Sequence, residues 1–127
     1  MSWVLLAVQV VVAVLHGFPS LVYRPNPRTA RVVEFINSLG PWWIVAFGLS
    51  ATVLLVSLWR RRYRHLGHLA CMFAWVVFAV ALWFGALASR PIGPILFACV
   101  ATGLVLMHLV IATAYADDPH EGSHGER

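Results

Sequence analysis

The side chains in this sequence that could take part in chemistry are a few polar groups set inside long apolar runs. They are Gln9, His16, His68 and His108. The runs that hold them contain no aspartate, glutamate, lysine or arginine. In membrane proteins, ionisable groups inside such runs often belong to functional sites. Histidine is also a frequent ligand of haem and metal ions.

The expected depth of these groups predicts how they pair. In an antiparallel bundle Gln9 and His108 come to a similar depth, which predicts a hydrogen bond between them. His16 and His108 come several turns apart, so one metal ion or haem could not readily bind both. We therefore expect polar contacts between helices, worth ~0.6 to 2 kcal/mol each. The polar or small residues expected at helix contacts are Gln9, His16, Gly48, Ser50, Gly85, Thr102 and His108.

No catalytic, cofactor-binding or metal-binding residue is predicted. The sequence has no glycine-rich phosphate loop, no nucleophile–base pair and no cluster with metal-ligand spacing. A proton-coupled transporter would normally carry a carboxylate inside a membrane span, and none of the apolar runs contains one. Enzymatic activity is therefore not expected.

The composition indicates an integral membrane protein. Of 127 residues, 61% are hydrophobic and 11% are charged, whereas about 25% are charged in a soluble domain. The formal charge of +4 comes from arginine alone, because the chain has no lysine. No basic face on a soluble module is visible, so nucleic-acid binding is not expected. Cys71 and Cys99 fall inside apolar runs and are expected to be small buried residues without a disulfide.

The elements that position these residues are four apolar runs. Each is close in length to the ~20 residues that a helix needs to cross a bilayer core. The fold expected is all-α: an antiparallel four-helix transmembrane bundle over residues 1–115, with a short interfacial helix after the first span. The interfacial helix is expected over about 29–39, where an ordered loop packed on the bundle is the alternative, and a disordered polar tail is expected over 116–127. The four spans are expected over about 2–23, 41–59, 66–88 and 94–115.

A cluster of arginines near mid-chain predicts a turn at a membrane face. Four arginines within five positions cannot cross a bilayer without a large cost, so the chain must turn there. Nearby tryptophans are expected at the headgroup level. Because this cluster is the strongest local determinant of orientation, both termini are expected in the cytoplasm. The residues concerned are Arg60, Arg61, Arg62 and Arg64, with Trp42, Trp43 and Trp59 as the aromatic anchors.

Several segments together resemble a known kind of protein. They are Gly40-Pro41-Trp42-Trp43, Phe47-Gly48, the arginine-rich turn with His68-Leu69-Ala70-Cys71, Trp75, the run from Ala81 to Leu87, and the ending from His108 to Asp118. In these segments the chain resembles small four-span, holin-like membrane proteins of bacteriophages that infect actinobacteria. The resemblance implies a protein that accumulates in the bacterial cytoplasmic membrane, oligomerises there and opens lesions for phage lysis.

Two other classes of membrane protein fit the same architecture. One is an accessory or scaffold protein, including a phage exclusion factor, that uses its helix faces to bind an unidentified membrane partner. The other is a small subunit similar to the DoxX-like proteins, which His16-Gly17 and Ser38-Leu39-Gly40 resemble. In all three classes the expected surroundings are the lipid bilayer, and self-association is expected in the first.

Overall fold

A computed structural model describes residues 1–17, 41–61, 63–88 and 95–117. Within these ranges every regular element is a helix and no strand occurs, which confirms the all-α prediction. The helices are α1 (Ser2–Gly17), α2 (Trp42–Arg60), α3 (Arg64–Ala88) and α4 (Leu96–Ala116). The last three have 19, 25 and 21 residues and are long and apolar enough to cross a membrane, whereas α1 has 16 residues.

Several predicted segments lie outside the described residues. They include the end of the first predicted span (18–23), the interfacial helix (29–39), the turn before the last helix (89–94) and most of the polar tail (118–127). Arg62 of the arginine cluster also lies outside them. These predictions remain predictions.

α2 ends at Arg60 and α3 begins at Arg64, within the arginine cluster. Arg61 ends α2 in the left-handed region at φ 52°, and its backbone N–H donates to the Leu58 carbonyl at 3.3 Å. Tyr63, just before α3, is also left-handed at φ 58°. Each such residue other than glycine costs about 1–3 kcal/mol. The packing of α2 against α3 must therefore hold the turn in place.

Neighbouring helices pack closely through small residues. α1 packs on α2, α2 on α3, and α3 on α4. Alanines take the places where α3 and α4 meet the rest of the bundle, and this lets the helix backbones approach each other. The buried alanines of these two helices are Ala74, Ala79, Ala81, Ala86, Ala98, Ala101 and Ala112. Gly67 serves the same purpose against α2, where an added Cβ would lie 3.0 Å from the Leu54 Cα.

The outside of the helices is apolar. Large side chains such as Phe73, Phe84 and Leu96 are about two-thirds exposed, at 69%, 66% and 70%. A soluble monomer rarely shows so much continuous apolar surface, whereas lipid-facing helices require it. The cysteines divide between the two environments, because Cys71 is buried and Cys99 is exposed. The prediction that Cys99 is buried is therefore wrong.

Two neighbouring tryptophans at the start of α2 face different surroundings. Trp42 is 58% exposed, while Trp43 is only 2% exposed and packs in the core. One residue along a helix is a rotation of about 100°, so adjacent side chains can face different surroundings. Trp43 is thus a core residue instead of the lipid-facing anchor that the sequence suggested.

Candidate functional site

Gln9 lies at a junction of three helices. Its side chain is fully buried on α1, and its amide Nε2 donates to Ser50 Oγ on α2 at 2.6 Å. Its Oε1 accepts a hydrogen bond from Trp75 Nε1 on α3 at 2.7 Å. Ser50 in turn donates to the Phe47 carbonyl at 3.1 Å. The predicted hydrogen bond from Gln9 to His108 is wrong, because both residues have other partners.

His108 pairs with a second histidine. His68 on α3 and His108 on α4 are both fully buried. Their Nδ1 atoms lie 3.0 Å apart, and their ring centroids lie 5.2 Å apart. A contact of this length between two imidazole nitrogens is a hydrogen bond in which one nitrogen carries the proton and the other accepts it. One proton therefore lies in the contact between the two Nδ1 atoms.

The histidine pair continues into two hydroxyl groups. His68 Nε2 lies 3.1 Å from Ser2 Oγ on α1, and Ser2 Oγ lies 3.2 Å from the Tyr115 hydroxyl on α4. The rings of Tyr115 and His68 stack at 5.8 Å, and the Arg64 guanidinium lies 5.4 Å from the centre of the Tyr115 ring. We call the series Tyr115, Ser2, His68 and His108 the histidine chain. It ties α1, α3 and α4 together.

One end of the histidine chain opens into a pocket. The pocket has a volume of about 240 Å³. Ser2 and Tyr115 belong to its lining, which is formed by Met1, Ser2, Trp3, Leu58, Arg61, Arg64 and Tyr115. The other end of the chain is His108 Nε2, which is buried and has no hydrogen-bond partner in the part of the molecule that the structure describes. A buried polar atom in this situation needs a physical explanation.

His16 belongs to an aromatic cluster. Its Nδ1 donates to the Val12 carbonyl at 2.8 Å. Its ring stacks on Phe47 at 5.8 Å and meets the edge of Phe78 at 5.4 Å, with Trp43 at 6.4 Å. These contacts use the ring as a flat apolar body. The histidine that joins His108 is thus His68, and His16 has a packing role.

Replacing His16 with phenylalanine is expected to change stability little. The substitution keeps a ring of similar shape, loses one helix-internal hydrogen bond, and should cost less than ~1.5 kcal/mol. Unfolding in mixed micelles, followed by circular dichroism, measures this difference. A larger loss, or the disappearance of a chromophore that purifies with the protein, would contradict a packing role.

The remaining predicted site residues lie in several places. Thr102 accepts a hydrogen bond from Trp83 Nε1 at 3.1 Å and donates to the Ala98 carbonyl at 2.8 Å, so it joins α3 to α4. Gly85 is buried, whereas Gly48 faces open space. Arg60, Arg61 and Trp59 are exposed, the last at 80%, and Arg64 is half-buried.

Ser2 and Tyr115 were missed as site residues, and His68 was a candidate for which no contact was predicted. Each lies at the beginning or end of a predicted span, where it looks like an interfacial residue. The signal was nevertheless present, because the starts of α1 and α3 meet the end of α4 in an antiparallel bundle. Three polar groups at such positions should have been considered together.

The described residues contain no group of three or more histidine, cysteine, aspartate or glutamate side chains that could hold a metal ion. No protein-family model matches the chain, and no curated protein or solved structure is significantly similar to it. Any functional conclusion therefore depends on the residues of this chain.

Proposed function

We propose that this chain is a holin-like integral membrane protein that self-associates in the bacterial cytoplasmic membrane and permeabilises it during phage lysis. The three long apolar helices and their apolar exterior support a membrane location. One pocket is lined by residues from the start of α1, the end of α2, the start of α3 and the end of α4. This supports an antiparallel four-span bundle with both termini on one side, the side that carries Arg60, Arg61 and Arg64.

The observation that best supports self-association is that three helical glycines have different surroundings. Gly67 packs directly against α2, where an added Cβ would meet Leu54 and Ser57. At Gly48 and Gly103 an added Cβ would meet nothing within 4 Å. These two glycines therefore do not serve packing within the bundle, although glycine weakens a helix by about 1 kcal/mol relative to alanine.

Both open glycines have a small residue one turn away. Thr52 is exposed and turns its hydroxyl back to the Gly48 carbonyl at 2.8 Å. Cys99 is exposed one turn before Gly103. Pairs of small residues spaced in this way leave a shallow groove in which a second helix can approach closely. In a holin-like protein these grooves would seat further copies of the chain.

Inducible expression in a bacterial host tests the proposed function. The measurements are entry of a membrane-impermeant dye and release of the activity of a co-expressed endolysin. Abrupt dye entry, with lysis only when the endolysin is present, is the expected result. Intact cells that contain the inserted protein would contradict the holin-like function. Purification with a stoichiometric partner would then favour an accessory protein.

Gly48→Leu is expected to delay the onset of dye entry. A leucine fills the groove, and a loss of about 1 kcal/mol per contact lowers an association constant roughly fivefold. The time from induction to dye entry measures the delay at matched protein levels in the membrane. Val53→Leu is the control, because it enlarges an exposed side chain on another side of α2. An equal onset in both variants would argue against this groove.

A further inference from the structure

The geometry of the histidine chain restricts where its protons can be. A neutral imidazole carries one N–H, so a contact between two Nδ1 atoms needs Nδ1–H on one ring and a bare Nδ1 on the other. If His68 carries Nδ1–H, its Nε2 is bare and accepts from Ser2. Ser2 then accepts from the Tyr115 hydroxyl. His108, which accepts at Nδ1, must carry its proton at Nε2.

The opposite direction is equally self-consistent. If His108 carries Nδ1–H, it donates to the bare Nδ1 of His68, whose proton is then at Nε2. His68 donates to Ser2, and Ser2 donates to Tyr115. The two arrangements have the same heavy-atom positions and differ only in the side on which each hydrogen sits. A short shift of the hydrogen in each of the three links reverses their direction when Tyr115 takes up a proton from water, and His108 then carries a proton on each nitrogen.

The three links are short enough for such a shift. They measure 3.2 Å, 3.1 Å and 3.0 Å from Tyr115 to His108. Tyr115 and His108 are seven residues apart on α4, which corresponds to about 10 Å along the helix. The chain thus runs from the open pocket to a fully buried nitrogen. Side-chain series of this kind form proton relays in membrane proteins.

We propose that the histidine chain is a proton-transfer site through which the buried histidine pair exchanges protons with water at the pocket. A hydronium ion in the pocket gives a proton to the Tyr115 oxygen, and Tyr115 gives its own proton to Ser2. Ser2 protonates His68 Nε2, and the Nδ1 proton of His68 moves to His108. His108 becomes an imidazolium with a proton on each nitrogen. The reverse sequence returns one proton to water, and no electrons are exchanged.

The charges around the pocket favour release of the additional proton from the histidine pair over its retention there. Arg61 at the end of α2 and Arg64 on α3 line the pocket, and the guanidinium of Arg64 lies over Tyr115. On α4 the nearest acidic residue described is Asp117, which follows the helix. On α1, residues 1–3 carry no ionisable side chain. The two arginines repel an additional positive charge, so the charged state of the pair should be short-lived.

This inference goes beyond the proposed function, because it needs neither self-association nor lysis. In this sequence His108 Nε2, which is buried without a hydrogen-bond partner among the described residues, keeps its proton, and Nδ1 takes up and returns the additional one.

The test uses the full-length protein, labelled with ¹⁵N-histidine and inserted in lipid nanodiscs. Nuclear magnetic resonance measures how fast His108 takes up and releases the additional proton at Nδ1 as the pH is lowered. Ser2→Thr keeps the bridging hydroxyl, whereas Ser2→Val has nearly the same shape and lacks it. Valine cannot pass a proton from Tyr115 to His68, so exchange in Ser2→Val should be about tenfold slower or more than in Ser2→Thr, and a factor of ten corresponds to about 1.4 kcal/mol. Thr113→Val, on the exposed side of α4, should leave exchange unchanged.

Two results would overturn the proposal. One is an equal rate of proton uptake in Ser2→Thr and Ser2→Val; the other is a wild-type His108 that takes up no additional proton as the pH is lowered. If Ser2→Val does not fold, His68→Phe replaces it, because phenylalanine keeps the stacking on Tyr115 and removes the middle of the chain. Exchange at His108 as fast as in the wild type would then overturn the proposal. So would haem or stoichiometric zinc on the purified protein, because the histidine nitrogens would be ligands.

Discussion

Gly67→Ala is expected to destabilise the bundle, although alanine is the better helix former. An alanine Cβ at this position would lie 3.0 Å from the Leu54 Cα and 3.1 Å from its Cδ1, with Ser57 Oγ closer still. The Leu54 Cα belongs to the backbone of α2 and cannot turn aside. α2 and α3 must therefore separate, and overpacking of this kind costs about 1–3 kcal/mol. Unfolding in mixed micelles measures the change.

Gly103→Ala is the matched control for this substitution. It is the same change in a helix, but the added Cβ would meet nothing within 4 Å. Only the helix propensity acts there, and it favours alanine by up to about 1 kcal/mol. The two variants should therefore differ in sign. A stabilised or unchanged Gly67→Ala variant would show that α2 and α3 have room for a methyl group at this position.

The sequence predicts helices here because apolar length is encoded directly. Each long run is bounded by residues that cannot continue it in an apolar medium: prolines, arginines or, after the last run, aspartates. α3 nevertheless begins at Arg64, two residues before the predicted start at 66. Arg64 can be helical because its side chain extends over the Tyr115 ring. The earlier start makes His68 the fifth residue of the helix, where it is fully buried.

The partners of the buried polar groups could not be predicted in the same way. Depth follows from position along a helix, and it brought Gln9 and His108 together. The direction in which a side chain points also depends on how the helix is rotated about its axis. In a soluble protein the polar face fixes this rotation, but a helix that is apolar on every side carries no such signal. Gln9 therefore faces Ser50 and Trp75, which the sequence did not indicate.

Trp43 illustrates the same limit. Two adjacent tryptophans before an apolar run are typical of an aromatic belt at the membrane interface. The rotation of α2 exposes Trp42 and buries Trp43 against Phe47 and Phe78. Small residues do carry some rotational information, because Gly67 must face a close neighbour. Gly48 and Gly103 have the same residue type and face open space, so the neighbour has to be known before the glycine can be interpreted.

Gln9→Met is expected to weaken the junction of α1, α2 and α3. Methionine has a similar length, but it neither donates to Ser50 nor accepts from Trp75. Ser50 keeps its bond to the Phe47 carbonyl. The indole N–H of Trp75, which is buried, loses its acceptor at 2.7 Å. A buried donor left without a partner costs about 1–3 kcal/mol, and unfolding in mixed micelles measures the loss.

A double-mutant cycle with Trp75→Phe separates this hydrogen bond from packing. Trp75→Phe removes the donor, so Gln9→Met in that background leaves no indole N–H unsatisfied. The double variant should then be more stable than the sum of the single losses predicts, by ~0.6 to 1.7 kcal/mol. Thr52→Val is the control, because its hydroxyl bonds only within α2 and its side chain is exposed; we expect it to change stability by less than ~0.5 kcal/mol. Additive losses would mean that the Gln9–Trp75 bond contributes no stability, and packing alone would then hold α1 against α3.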